Sequence, residues 1–216
     1  NCRRLQFPPT RRSLMEIHRK FKDKIIILAS HNPGKIREIA ELLNPYKLEV
    51  IFAPDLGLIE PEETGTTFVE NAELKAQYAA TTARLPSLSE DSGLVVPALN
   101  GAPGAYSARW AGDKKNYSKA MKKIEQLIKR HTDRTAFFFT AMSLCWPDGH
   151  CETFKGKIKG RLVWPPRGKL GFGYDPVFLP NGKSKTFGEM LPKAKHAISH
   201  RANAFAKLET ACFSRF

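Results

Sequence analysis

Residues 25–43, Ile25-Ile26-Ile27-Leu28-Ala29-Ser30-His31-Asn32-Pro33-Gly34-Lys35-Ile36-Arg37-Glu38-Ile39-Ala40-Glu41-Leu42-Leu43, decide the fold class. The unbroken apolar run Ile25 to Ala29 reads as a buried strand that a polar turn ends. Beyond the turn, Ile36, Ile39, Ala40 and Leu43 recur at i, i+3, i+4 and i+7, the spacing of one helix face, and Arg37, Glu38 and Glu41 fall on the other faces. Working outward, Leu48 to Phe52 is the next strand candidate. Thr67 and Glu70 have the spacing of a capping box, opening a helix with Phe68, Ala72, Ala76, Ala79 and Ala80 on one face. After Leu85-Pro86 a short strand ends at Glu90-Asp91-Ser92-Gly93, followed by Leu94 to Val96 and a Gly/Pro-rich loop from Asn100 to Gly104. Residues 118–130 form an amphipathic helix with Met121, Ile124, Leu127 and Ile128 inward. Ala136 to Trp146 and Glu152 to Leu162 are strands joined through the hairpin signal Pro147-Asp148-Gly149. A last helix begins near Ser199, with Ala202, Phe205, Leu208 and Cys212 on its apolar side. Strand–helix units first, a hairpin later and a helix to finish predict an α/β fold with a mixed sheet.

The chain has 216 residues, 42% of them hydrophobic and 26% charged. That composition is of an ordinary globular protein with room for one substantial core. No apolar run approaches the roughly 18 residues of a membrane-spanning helix. Cys2, Cys145, Cys151 and Cys212 lack paired CxxC spacing, so neither a zinc site nor a disulfide framework is expected, and a reducing, cytoplasmic location is. The net charge of +14 is uneven, for residues 1–24 carry eight Lys and Arg against only Glu16 and Asp23. A basic extension is therefore expected over residues 1–23, poorly ordered to at least residue 14, ahead of a domain spanning 24–216. Its Arg-rich, acid-free start has the composition of an organelle transit peptide and equally of an extended start upstream of Met15. The remaining positive charge suits an anionic partner, either a nucleic-acid backbone or a polyphosphate substrate. Along the chain, aromatic residues do not interleave with Lys and Arg in an RNA-recognition pattern, and specific nucleic-acid binding is not expected.

Four constellations carry chemistry. Ser30-His31-Asn32-Pro33-Gly34-Lys35 links strand to helix. Asn32 is a good N-cap and Pro33 a good first helical residue, so the turn offers backbone N–H groups to an anion, and Gly34 removes a side chain that would obstruct its approach. Lys35 brings a cation to a helix end that favours negative charge, which makes sense with a phosphate between them. Glu90-Asp91-Ser92-Gly93, with Glu62-Glu63 upstream, gathers carboxylates that repel one another unless a cation such as Mg²⁺ is bound. Gly171-Phe172-Gly173-Tyr174-Asp175-Pro176 is a glycine–aromatic loop on whose Phe172 or Tyr174 a purine could stack. In Lys195-His196-Ala197-Ile198-Ser199-His200-Arg201, a Ser199 cap puts His200 and Arg201 in a first helical turn, where positive charge is unfavourable by about 0.3–1 kcal/mol unless a ligand answers it.

Together these pieces resemble the inosine triphosphate pyrophosphatase family, the Ham1-like pyrophosphatases of non-canonical purine nucleoside triphosphates. The resemblance runs from about Lys24 to Leu208, with the pieces in order: SHNPGK at 30–35, PEETG at 61–65 with TFVENAELKA at 67–76, EDSGLVV at 90–96 with NGAPGAYSARWAG at 100–112, WPPRG at 164–168 with GFGYDPVF at 171–178, and AISHR at 197–201. It implies an elongated mixed sheet flanked by helices, two lobes with a central cleft, a homodimer, Mg²⁺ dependence, and hydrolysis of inosine, deoxyinosine and xanthosine triphosphates to the monophosphate and pyrophosphate. Carried over by position, Ser30 to Lys35 hold the triphosphate, and Asp91 is the metal-linked base with Ser92 beside it on the substrate. Glu62 is a second metal ligand, while Phe172, Gly173, Tyr174, Asp175, Lys195, His200 and Arg201 line the nucleoside pocket. Arg201 and His200 are expected to read the purine 6-keto oxygen. The alternatives are a pyrophosphatase of other nucleotide specificity and a basic nucleic-acid-binding protein. Two departures stand out: Glu90 where Asp is typical, and Lys155 and Lys157 where acids are common.

Overall fold

The computed structural model describes residues 18–213. Its sheet has six strands, β1 (Ile25–Leu28), β2 (Glu49–Phe52), β3 (Ser87–Val95), β4 (Thr135–Cys145), β5 (Cys151–Leu162) and β6 (Phe178–Pro180), in the order β2-β1-β3-β4-β5-β6. The helices are α1 (Pro33–Leu43), α2 (Phe68–Ala83), α3 (Ser107–Trp110), α4 (Tyr117–Ile128), α5 (Pro192–His196) and α6 (His200–Cys212). β1 runs parallel to β2 and β3, while β3, β4, β5 and β6 pair antiparallel in succession. The sheet is mixed and flanked by helices, as the periodicity predicts. The helix starts follow their sequence signals. Thr67 and Glu70 complete a capping box at α2, Asn32 caps α1, and the Ser199 hydroxyl accepts from the Ala202 amide at the head of α6.

Four expectations change, the first being Leu127, expected inward on α4 but 47% exposed, because the inward face is made by Ala120, Met121, Ile124 and Ile128. The short strand expected to end at residues 90–93 is one continuous β3, because β4 pairs straight through the polar segment, with Asp91 opposite Ala141, Ser92 opposite Thr140 and Gly93 opposite Phe139. Glu38, expected on an outer face of α1, is 6% exposed. Cys145 and Cys151 form a disulfide, for the hairpin register sets them directly opposite each other at the ends of β4 and β5. Sequence spacing shows no framework here because the pairing is made by the ladder.

Within the basic extension, the described residues pack on the domain. The Phe21 amide donates to the Cys212 carbonyl at 2.8 Å, and Glu152 accepts from the Arg19 amide at 2.8 Å and contacts His18 Nδ1 at 2.7 Å. The expectation for residues 1–14 falls outside the described residues.

β3 and β4 are long enough to serve two apolar cores. Leu88, Met142 and Leu144 join Ile26, Ile39, Leu43, Phe205 and Leu208 in one, whereas Leu94 and Phe138 join Ile124, Ile128, Tyr174, Phe178 and Phe187 in the other. Between them the same strands carry Glu90, Asp91, Ser92 and Thr140. Burying such groups is tolerable only if each is paired, and the pairing constructs the site.

Candidate active site

β3 pairs with β1 only at Ser87 and Leu88, so its following residues run past the C-terminal end of β1 with one edge uncovered. The α1 turn begins there, and a cleft of about 670 Å³ opens in front of it. Open α/β sheets bind ligands at this location, outside the carboxyl ends of parallel strands. Ser30 to Pro33, Lys35, Asp91, Ser92, Phe172 to Asp175, His200 and Arg201 all line this one cleft, although they come from four separate stretches of chain.

The 30–35 turn is built differently from its sequence reading. Asn32 Oδ1 accepts from the Gly34 and Lys35 amides at 2.9 and 3.2 Å, and the Ile36 amide donates to the Asn32 carbonyl. The helix-start donors expected to face an anion are thus answered within the turn. Ser30 Oγ accepts from the Asn32 amide, and His31 Nε2 lies 2.8 Å from the Leu58 carbonyl, which ties the turn to the segment leading to Glu62 and Glu63. Gly34 also serves another purpose, since a Cβ there would lie 2.6–2.8 Å from the Phe172 ring. What the turn presents to an anion is the Lys35 ammonium. Its Nζ is 3.2 Å from Glu90 and 3.7 Å from Asp91; burial alone would lower its pKa, yet those carboxylates raise it.

Glu90 and Asp91 are neighbours in sequence but point to opposite faces of β3, as alternation requires. They do not form a chelating pair at a strand end, which the sequence suggested. Glu90 turns toward α1 and α6 and is fully enclosed. It accepts from Thr140 Oγ1 at 2.6 Å and from Arg201 at 2.9 Å, and burial, which opposes ionisation, is overcome by Arg201 and Lys35, so its carboxyl is held well below the usual range. Asp91 turns toward α2, with Lys35 and Lys75 each 3.7 Å from Oδ1 and Asn71 donating weakly at 3.4 Å. Burial dominates there and pushes the Asp91 pKa up. The second acid near it is Glu63, in contact with Lys75 at 2.5 Å. Glu62, the expected metal ligand, is exposed at the cleft mouth and forms no ion pair among the described residues.

At the other end Asp175 accepts from the Phe172 amide at 2.8 Å and from Lys195 at 2.5 Å. Gly171, at φ +72°, is required here, because a Cβ would fall 2.1 Å from Asp175 Oδ2. Phe172 lies over the cations, its ring centre 4.8 Å from Lys195 Nζ and 5.2 Å from the Arg201 guanidinium carbon. Tyr174 belongs instead to the core: it is 3% exposed, its hydroxyl donates to the Ser107 carbonyl, and its ring meets Tyr117 edge-on. Of the two rings, only Phe172 remains part-exposed. Glu38 accepts from both Lys195 and Arg201, at 2.8 and 2.9 Å. The positive charge in the first turn of α6 is therefore answered by Glu38 and Glu90, which removes the need for a ligand to explain it. Arg201 Nε and His200 Nδ1 are buried without a hydrogen-bond partner.

An alternating chain of charges, Asp175–Lys195–Glu38–Arg201–Glu90–Lys35–Asp91–Lys75–Glu63, thus crosses the cleft from the aromatic loop to α2. A match to the Ham1 family covers residues 26–211. The chain belongs to the Ham1 family. It is 52% identical over 210 residues to a dITP/XTP pyrophosphatase of Rhodopseudomonas palustris, covering 92% of this chain and all of that one. It is 53% identical over 190 residues to a dITP/XTP pyrophosphatase of Caulobacter vibrioides, covering 87% and 97%. Among solved structures, a HAM1 protein from Coxiella burnetii superposes with a TM-score of 0.80 at 38% identity, covering 86% of this chain and 96% of that one.

In this Ham1 protein the residues to which the motifs assigned no role are Glu38 and Lys75, and Glu63 was read only as one of the gathered carboxylates, beside Glu62. Lys75 left a readable signal: with Asn71 it interrupts the apolar face of α2, where Ala72, Ala76, Ala79 and Ala80 are buried. Glu38 left none, since its neighbours read as an ordinary solvated helix flank.

Enclosure of His200, stacked on Phe138 at 5.0 Å, holds its pKa well below the usual value, burial acting first and Arg201 adding to it. An unfolded chain takes up that proton near pH 6.5 while the folded one does not, so stability falls below about pH 6.5 by up to about 1.4 kcal/mol per unit. His196 is shifted the other way, chiefly by the Glu38 carboxylate 3.8 Å from its Nε2 and also by Glu41, opposed by burial. Its gain is complete below about pH 6.5 and does not cancel the loss. Urea titrations between pH 7 and pH 5 should show this decline in the parent and a flatter profile in His200→Phe; equal slopes would remove His200 as its source.

Proposed function

We propose that this chain hydrolyses inosine, deoxyinosine and xanthosine triphosphates to the nucleoside monophosphate and pyrophosphate, and that Asp91 is the catalytic base. The observation carrying this reading is the Asp91 carboxylate: desolvated, raised in pKa and set between two lysines in a nucleotide-sized cleft. A base works best when its pKa is lifted toward the working pH.

The donor set fits a hard divalent cation. Asp91 has no cation closer than 3.7 Å, Glu63 stands on the same side, and Asn71 Oδ1 is buried without a partner. Magnesium characteristically takes one or two carboxylates together with substrate phosphates. We assign it to Asp91 and Glu63 in place of Glu62; when bound it supplies charge neutralisation at the phosphates and a more acidic water. The chain's own groups do the rest. Asp91 orients a water toward the α-phosphorus and takes its proton as the new P–O bond forms and the bond to the β,γ-diphosphate breaks. Lys35 and Lys75 balance the charge that grows on the departing pyrophosphate. Phe172 stacks on the purine, and Lys195 and Asp175 hold that loop. His200, neutral and with Nδ1 unanswered, donates as its Nδ1–H tautomer to a 6-keto oxygen. Adenine would set an amino group against that donor and leave it unpaired, at roughly 1–3 kcal/mol. Homodimerisation and a cytoplasmic location also belong to this reading, on family resemblance; no helix among the described residues is long and apolar enough to cross a membrane.

The test is a panel of inosine, xanthosine, guanosine and adenosine triphosphates with Mg²⁺ and with chelator, both products being identified chromatographically. Monophosphate and pyrophosphate from the inosine and xanthosine substrates, with adenosine triphosphate the poorest, are expected. Stepwise release of orthophosphate would exclude attack at the α-phosphorus.

A further inference from the structure

The two lysines that depart from the family pattern lie on a surface that the pyrophosphatase site does not use. β5 alternates, and its outward residues Lys155, Lys157, Lys159 and Arg161 are all exposed. They form a row on one face, with steps of about 6.8 Å and a length of about 20 Å. The hairpin register places Lys155 beside Ala141, Lys157 beside Phe139, Lys159 beside Phe137 and Arg161 beside Thr135. α2 covers this face only as far as Phe68, whose ring meets Phe139 at 5.1 Å. Beyond it Phe137 and Phe139 are half-buried, and Lys157 Nζ lies 3.4 Å from the centre of the Phe137 ring. Aromatic and cationic side chains therefore do interleave in this protein, across the ladder where a reading along the chain cannot detect it.

None of the four cations has a carboxylate within 4 Å among the described residues. The acids of the neighbouring segments are already engaged, Glu152 accepting from the Arg19 amide, Asp133 from the Thr135 amide and Glu73 from the Thr153 hydroxyl. We propose that this open face of β4 and β5 is a docking surface for single-stranded nucleic acid, its backbone following the row of cations and its bases stacking on Phe137 and Phe139. Rings on a sheet face beside a cationic track suit any base sequence, because every base has a π-face. A second copy of the chain is a poorer occupant, since a two-fold axis through this face would set the row against its own image and oppose like charges.

The test uses the full chain and a fluorescent oligothymidylate of about 20 nucleotides, with anisotropy read across a salt series. Binding is expected at low salt. Replacing Lys155, Lys157, Lys159 and Arg161 together by Gln should weaken it at least about tenfold and flatten the dependence of log K on log salt by about 2 to 3, at roughly 0.7 per lost phosphate contact. Triphosphate hydrolysis should be unchanged. A charge-matched variant at Lys119, Lys122, Lys129 and Arg130, on and just beyond α4, should bind as the parent does. Phe137→Leu should weaken the oligonucleotide but not an abasic chain of equal length. The proposal is overturned by no binding, by equal loss in the two charge variants, or by indifference to Phe137. It is likewise overturned if the face takes polyglutamate and not the oligonucleotide, or if the substitutions dissolve a dimer that never bound nucleic acid.

Discussion

Asp91→Asn should fold as the parent does and lose about 10²–10⁴-fold in kcat on inosine triphosphate, the range expected when a positioned base is removed. The two halves of that expectation rest on separate observations. Asp91 lies on the α2 face of β3, its nearest cations are 3.7 Å away, and burial already disfavours its charge. A neutral amide of the same shape removes that strain, so stability should be kept or should rise slightly. The reaction loses more, because an amide neither accepts the water's proton nor ligates a hard cation well. The result should appear as a fall in kcat with an unchanged urea midpoint. Wild-type turnover in this variant would move the base elsewhere. Glu90→Gln is the instructive contrast: it alters an equally buried neighbour on the opposite face and should act through the Arg201 network and hence on stability.

How far the sequence reached can be judged from these two adjacent acids. The longer strands and helices were legible because local signals carry them: the apolar run at 25–29, the Thr67–Glu70 box, the Asn32 and Ser199 caps and the hairpin turn; β6, α3 and α5, three to five residues each, are too short for any periodicity. Much of the cleft's lining was legible as well, from motifs that the sheet gathers at the end of β1, although Gly34 and Lys195 are not among the lining residues. What each residue touches was not. Alternation alone could have separated Glu90 from Asp91, but only once β3 was recognised as running through both. The Asn32 side chain fills the amide cradle it was expected to frame, and Gly34 makes room for a phenylalanine 138 positions away. The positive charge opening α6 suggested a ligand, because the acids that answer it, Glu38 and Glu90, come from α1 and β3. The Cys145–Cys151 pairing and the interleaving of Phe137 and Phe139 with the β5 lysines exist only across a ladder. Each is a contact between separate elements, whether six residues apart like the disulfide or far more, with no periodicity to announce it.

Arg201→Ala should destabilise the fold by about 3–5 kcal/mol, the scale of breaking a buried ion pair by removing one partner. Arg201 is 3% exposed and bridges two enclosed carboxylates, Glu38 at 2.9 Å and Glu90 at 2.9 Å, while also donating to Ser92 Oγ at 2.8 Å. Without it Glu38 keeps Lys195 and Glu90 keeps Lys35 and Thr140, yet each loses the guanidinium that helps to hold it ionised against burial. Arg201→Lys retains the charge but cannot span both acids and should fall between parent and Ala. Removing the stranded charge should restore part of the loss, so Arg201→Ala combined with Glu90→Gln is expected to be more stable than the sum of the single effects predicts. Urea unfolding of the four proteins reads this directly. Catalysis gives an independent reading. Because the guanidinium is occupied by carboxylates, its removal should lower kcat/KM for inosine and adenosine triphosphates by similar factors, leaving discrimination to His200. If the variant instead keeps its stability and the ratio between the two substrates collapses, then Arg201 turns from its carboxylates to the purine when substrate enters, and the base-reading role returns to it.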